Sequence, residues 1–195
     1  LLLWRQPEED FNTNSTLVVM PGESAVFVSQ GKIEQVFESG TYRLSTRNYP
    51  FITRLCSVFT GGVSTFHCIV YFVRKSDSQE IRWGTATPIQ VRDKVWGICT
   101  SARARGAYRV RIENPTVFLE KLIGSNIPFQ FQEQLEQYFS REFQSRIKSA
   151  ISRFLNSRQE ELIGIDAFLD ELSGQITPYI DEALVEYGLK CVKFS

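Results

Sequence analysis

Two groups of charged side chains in this 195-residue sequence have a spacing from which chemistry could be built. Arg103, Arg105, Arg109 and Arg111 share one parity of an alternating run, and Ala102, Ala104, Gly106, Tyr108, Val110 and Ile112 share the other. Successive strand residues point to opposite faces, so the run reads as a strand with one buried face and one basic, wet face. Arg92 and Lys94 extend the basic character upstream, and Arg141, Arg146, Lys148, Arg153 and Arg158 extend it downstream. Between Gln159 and Leu189 there is no Lys or Arg, while Glu160, Glu161, Asp166, Asp170, Glu171, Asp181, Glu182 and Glu186 accumulate. A formal net charge of zero, from 22 cations and 22 anions, therefore hides a basic middle and an acidic end.

Three uses of that polarity are open. The two halves can be ordinary wet faces, or lie against each other within one molecule. The basic face of Arg103, Arg105, Arg109 and Arg111 can meet an acidic face of Glu171, Asp181, Glu182 and Glu186 on the next subunit, a heterologous contact that builds rings or filaments. The arginines can also face anionic lipid headgroups. Nucleic acid is not expected as a partner, because the net charge is balanced and a basic strand without interleaved exposed aromatics makes a poor stacking platform.

Residues for covalent or acid–base catalysis are sparse. The one histidine, His67, sits inside the apolar stretch TFHCIVYFV and is expected to be a satisfied core or half-buried residue. His67 and Cys68 cannot act together from one strand, since neighbours point apart. There is no G-x-S-x-G, H-E-x-x-H, P-loop or dinucleotide-binding glycine pattern, and Gly22 and Gly61-Gly62 are too isolated to cradle phosphate. The acidic pairs Glu8-Glu9, Glu160-Glu161 and Asp170-Glu171 read as solvated carboxylates. Cys56, Cys68, Cys99 and Cys191 contain no C-x-x-C pair, which fits reduced thiols in a cytoplasmic protein. No catalytic residue, cofactor or metal ligand is expected.

The elements that position the charges follow from punctuation and period. Leu1–Trp4 is expected as an edge strand, or as the tail of a membrane-touching helix. Leu17–Met20, Ser24–Gln30 and Lys32–Glu38 read as strands, the last two joined by a tight hairpin at SQGK. A strand at Thr41–Ser45 follows Gly40. Phe51 to Thr65 gives no clear element beyond a loop at Gly61-Gly62. Thr65–Val73 is apolar on both parities, which predicts a central strand covered on both faces, paired in a hairpin with Glu80–Thr85. Val91–Thr100 reads as a strand interrupted at Trp96-Gly97.

Asn114-Pro115 caps and starts a helix that Gly124 ends. Phe131, Leu135, Phe139, Phe143, Ile147, Ala150 and Phe154 then recur at helical spacing within a long amphipathic helix from Phe129 to about Asn156. Two shorter helices are predicted at Ile165–Leu172 and Thr177–Tyr187, followed by a strand at Leu189–Phe194. Strands first, helices next and a final strand make an α+β chain with an antiparallel or mixed sheet. No window approaches the ~20 apolar residues that span a bilayer. The opening Leu1-Leu2-Leu3-Trp4, without an initiator Met, gives the chain the look of a fragment.

The succession of WGT, PIQVRD, a G-x-Y-x-x-R-I strand and NPxxFLxKLIG resembles the SPFH domain, also called Band 7 (stomatin, prohibitin, flotillin type). Within it, the chain is similar to the bacterial subgroup labelled "virion core protein-like". The resemblance extends from LLLWR through VVMPGESAVFVSQGKIEQVFESGTYRLSTRNYPF to the closing EYGLKCVKF. It implies a single SPFH domain over residues 1–195, an elongated sheet part at 1–113 leading into helices and a last strand at 114–195. It also implies a non-enzymatic scaffold that forms homo-oligomers and organises at a membrane surface in the bacterial cytoplasm, with a peripheral membrane or membrane-protein partner. The alternative is a soluble adaptor that binds a protein or peptide through an exposed sheet edge.

Overall fold

Glycine and proline punctuate the first third of the chain, and short strands form between them. The computed structural model describes residues 2–56, 64–124 and 132–195. These fall into two compact units, Leu1–Ser76 with Asn114–Gln132, and Asp77–Glu113 with Glu133–Ser195. The chain is α+β, with every strand pairing antiparallel.

In the first unit, strands β1 (Leu3–Arg5), β4 (Glu23–Ser29), β5 (Lys32–Phe37) and β8 (Ile69–Arg74) form a sheet in the order β1-β8-β4-β5. Strands β2 (Asp10–Asn12) and β7 (Thr65–His67) form one ribbon, and β3 (Thr16–Val19) and β6 (Gly40–Arg43) another. The apolar N-terminal stretch is the expected edge strand, with Leu3 opposite Val73. The β4–β5 turn places Gln30 and Gly31 at φ 50° and 76°, a region that glycine enters freely. Phe27 anchors the core, with Phe37 and Phe51 edge-on at 5.1 and 5.9 Å between ring centroids.

Phe51 comes from helix α1 (Pro50–Leu55), an element the sequence pattern did not reveal. Six residues are too few to display a helical period, yet Pro50 opens the turn and Phe51 and Ile52 bury its inner face. Helix α2 (Pro115–Gly124) begins as expected, with the Asn114 side chain accepting the Val117 N–H at 3.2 Å. The Gly61-Gly62 loop reading lies outside the described residues.

Three expectations are corrected here. The apolar stretch Thr65–Val73 is two strands broken at Cys68, because β7 pairs with the polar β2 while β8 lies between β1 and β4. Nor does it form a hairpin with the tryptophan strand β9 (Ile81–Gly84), whose partner is β12 (Arg105–Ile112). His67 is not a core residue: its side chain is 62% exposed at the end of β7, between Asp10 (3.1 Å) and Glu9 (3.3 Å).

The second unit is built on a three-stranded sheet in the order β13-β12-β9, with β13 at Leu189–Phe194. Strands β10 (Ile89–Arg92) and β11 (Cys99–Ala102) form a hairpin, so Trp96-Gly97 lies in a turn between two strands. The long helix α3 (Gln132–Ser157) buries Leu135, Phe139, Phe143, Ile147, Ala150, Ile151 and Phe154, the stripe its period requires. Phe129 and Phe131 lie outside the described residues. The two later helices are one: after a 3-10 turn at Ile165–Phe168, α4 (Leu169–Val185) runs through Ser173-Gly174 and carries Pro178 inside it. Gly174 and Pro178 are exposed while Ile176, Ile180, Ala183 and Leu184 are buried. The carbonyl that Pro178 leaves without its N–H partner thus faces water, and the buried stripe carries the helix past the break.

Candidate functional site

The alternation in β12 does what the sequence requires. Tyr108, Val110 and Ile112 are buried, and Arg105 and Arg111 are exposed with Arg109 half-buried between them. Arg103 is exposed in the link between β11 and β12, two residues before the strand begins. Register enlarges the basic face: Arg109 lies opposite Lys193, Arg111 opposite Lys190, and Arg82 of β9 opposite Ala107. Cross-strand like charges disfavour each other, and nearby acids relieve part of that. Arg109 Nη2 donates to Glu80 Oε1 at 2.9 Å, and Arg111 donates from Nε and Nη2 to Asp77 Oδ1 at 2.8 and 2.6 Å. Lys190 lies 3.5 Å from Glu113. Exposed pairs of this kind contribute about 0.2–1 kcal/mol each. Among the described residues, Arg82, Arg103, Arg105 and Lys193 have no such partner.

The acidic set is placed on α4 and its C-cap. Glu171, Glu182 and Glu186 are exposed. Glu171 accepts from Gln175 at 3.1 Å, and Glu186 lies 3.8 Å from Arg146. Asp181 differs: it is half-buried, and its Oδ1 accepts the backbone N–H of Cys191 at 2.7 Å.

The helices cover the side of the sheet that the arginines do not. Phe143 of α3 meets Tyr108 edge-on at 6.4 Å, and Tyr187, just beyond α4, packs on Phe139 and Phe143 at 5.7 and 5.6 Å. The basic face and the outer acidic side of α4 therefore sit on opposite sides of this unit. The ladder is balanced by Asp77 and Glu80, not by the acidic helix.

Polar residues of the helices also seal the outer strand edges. Ser140 Oγ donates to Arg82 O at 3.2 Å and Gln144 Nε2 to Gly84 O at 2.6 Å, while Lys148 Nζ reaches Thr87 Oγ1. Asn156 donates to Gln90 O and accepts from Arg92 N, each at 3.4 Å. These four lie four or eight residues apart on one line of α3, and Asp181 does the same for β13. The C-terminal strand is held by Trp83, stacked on Phe194 at 5.2 Å, with Nε1 donating to Ser195 O at 3.3 Å.

No catalytic arrangement emerges from the described residues. Burial pushes the Cys68 thiol up to about 12, with the Glu9 charge adding, and the Cys191 thiol up to about 11, with Asp181 adding. Such thiols are poor nucleophiles. No group of three or more His, Cys, Asp or Glu side chains able to hold a metal is present among the described residues. Glu160 pairs with Arg158, and Glu161 accepts from the Trp96 indole N–H at 3.2 Å.

One structural carboxylate escaped the sequence reading. Asp93 is only 2% exposed; its Oδ1 accepts the N–H groups of Val95 and Trp96 at 2.9 Å and its Oδ2 that of Leu162 at 2.8 Å. The bond from Leu162 leads these in holding the carboxyl below its usual range, against the opposing effect of burial. The signal available was Asp two residues before an exposed turn closed by Gly97, at φ 66°.

The described chain is thus an antiparallel α+β fold with polarised charged surfaces. The chain belongs to the SPFH domain-Band 7 family, whose model matches residues 3–195. It is also 22% identical over 199 residues to the uncharacterized protein YdjI of Bacillus subtilis (strain 168), covering 100% of this chain and 58% of that protein. The chain thus spans little more than half the length of the curated relative it matches. Family membership suggests a scaffold-like, membrane-associated role. No described helix is long and apolar enough to cross a membrane.

Proposed function

We propose that this chain is a non-enzymatic scaffold domain that self-assembles and organises at the inner face of the bacterial cytoplasmic membrane. The observation that carries the reading is the opposition of its two charged surfaces. Arg82, Arg103, Arg105 and Lys193 on the basic side lack ion-pair partners among the described residues, and Glu171, Glu182 and Glu186 face outward on the other side of the same unit. A surface that complements the far side of its own copy gives a head-to-tail contact, which closes into a ring or runs on as a filament. In this reading Asp181 supports the surface from within by holding β13, and the other three acids make the contact.

Each exposed pair contributes little, so assembly through these faces is expected to be steered by charge and weakened by salt. The test is solution mass at low and high salt for the wild type and for Arg103→Glu with Arg105→Glu. That variant is preferred to reversal of Arg109 and Arg111, which would set new carboxylates against Glu80 and Asp77.

The alternative, an adaptor that takes a peptide at a strand edge, would act in the first unit at β5, six residues long and the longer of the two edge strands of the four-stranded sheet. Lys32 and Glu34 lie on it, charges of the kind that discourage edge pairing. In the second unit α3 and α4 already occupy the outer edges of β9 and β13.

A further inference from the structure

The tip of the β10–β11 hairpin exposes Val95, Trp96 and Ile98 to 55, 60 and 54%, three large apolar side chains within four residues. Their exposure is built in. Asp93 accepts from Val95 and Trp96 and so sets the turn, its own N–H donates to Ile98 O at 2.9 Å, and its second oxygen ties the tip to Leu162. Beside Leu162, Ile163 is 69% exposed, which extends the apolar surface. The one polar atom of the Trp96 ring is already satisfied by Glu161, so the indole can leave water without stranding a donor. Arg92 and Lys94 flank the tip, both exposed and without an ion pair among the described residues, unlike Arg109 and Arg111. Of the acids around the tip, Asp93 is taken up by three backbone N–H groups, Glu160 pairs with Arg158 and Glu161 accepts from the Trp96 indole.

We infer that this hairpin tip inserts into the interfacial layer of an anionic lipid bilayer, with Val95, Trp96 and Ile98 below the headgroups and Arg92 and Lys94 among the phosphates. Four projecting residues fall far short of the about 20–30 a side that a stable protein interface uses, whereas a shallow wedge needs only a few apolar side chains and nearby cations. Tryptophan is favoured at that depth because its ring is apolar and its edge polar. The inference rests on the membrane part of the proposed function and is independent of the charge-mediated assembly.

The experiment is co-flotation of the chain with phosphatidylglycerol/phosphatidylcholine vesicles and with phosphatidylcholine alone, paired with solution mass by light scattering. The wild type is expected to float with the anionic vesicles. Val95→Ser/Trp96→Ser/Ile98→Ser is expected to bind at least about tenfold more weakly at unchanged mass, since it removes most of the buried apolar area. Arg92→Gln/Lys94→Gln is expected to lose the preference for anionic lipid. Bromine-labelled lipid chains are expected to quench the fluorescence of the wild type and not of Trp96→Phe. The inference is overturned if the wild type floats with neither vesicle, if the triple variant binds like the wild type, or if it loses mass while still binding lipid, which would make the tip a contact between copies. A failed charge reversal in the mass assay would remove the assembly proposal and leave this one standing.

Discussion

The carboxylate of Asp181 accepts the backbone N–H of Cys191 at 2.7 Å, so an acid on the outer charged helix also closes the edge of the last strand. Asp181 and Glu182 are neighbours in sequence with different tasks. Replacing Asp181 by Ala leaves an edge N–H without its partner and is expected to cost about 1–3 kcal/mol of stability. Asp181→Asn retains the acceptor oxygen and is expected to recover most of that loss. Glu182→Gln is expected to leave stability within about 0.5 kcal/mol, as for an exposed site. Urea unfolding of the three variants checks the ordering.

Asp93 gives the fold a pH dependence with a definite sign. Its folded-state pKa lies below the ordinary Asp value of 3.8, led by the bond from Leu162. The stabilisation is therefore fully present above the ordinary value, and is lost as pH falls below it through the folded value. Urea unfolding of the wild type is expected to show this loss in acid, and Asp93→Asn is expected to be less stable at neutral pH with a flatter profile. Equal pH slopes in the two proteins would remove Asp93 from the account.

Gly106 is required by close approach. A Cβ built there would lie 1.9 Å from Ser195 O and 3.0 Å from the Trp83 ring. Ser195 O also accepts from Ala107 N at 3.0 Å and from Trp83 Nε1 at 3.3 Å, so the chain end cannot move aside without losing both bonds. Gly106→Ala is expected to destabilise the second unit by about 1–3 kcal/mol and to loosen the Trp83–Phe194 stack. Near-ultraviolet circular dichroism and unfolding report both effects.

These cases show which features were legible in the sequence. Local signals carried through: Asn114-Pro115 started α2, the apolar period gave α3, and the parity of Tyr108 and Arg109 gave the two faces of β12. Helix α1 was missed because six residues show no period. The break at Cys68 was invisible because both neighbouring strands are apolar, and only pairing with Asp10–Asn12 separates them. Pro178 stands at the second position of the helix expected from Thr177, a place where proline favours a start, yet the buried stripe on α4 carries the helix through it. For the candidate site, the basic face was legible but its internal partners were not, since Glu80 and Asp77 lie 29 and 34 residues from Arg109 and Arg111. The line of Ser140, Gln144, Lys148 and Asn156 carried no local signal, because three of the four reach backbone groups and Lys148 reaches the Thr87 hydroxyl 61 residues away.

The central claim, that the basic face of one copy meets the acidic face of the next, is tested most directly by light scattering with a charge swap. Wild type, Arg103→Glu/Arg105→Glu, Glu182→Lys/Glu186→Lys and an equimolar mixture of the two variants are measured across concentration at low and high salt. The expected result is a large, salt-sensitive wild-type species, a lower mass for each variant alone, and partial recovery of mass in the mixture, where reversed faces can pair. A strict monomer at every salt concentration, or an oligomer whose mass neither reversal changes in low salt, would contradict the account.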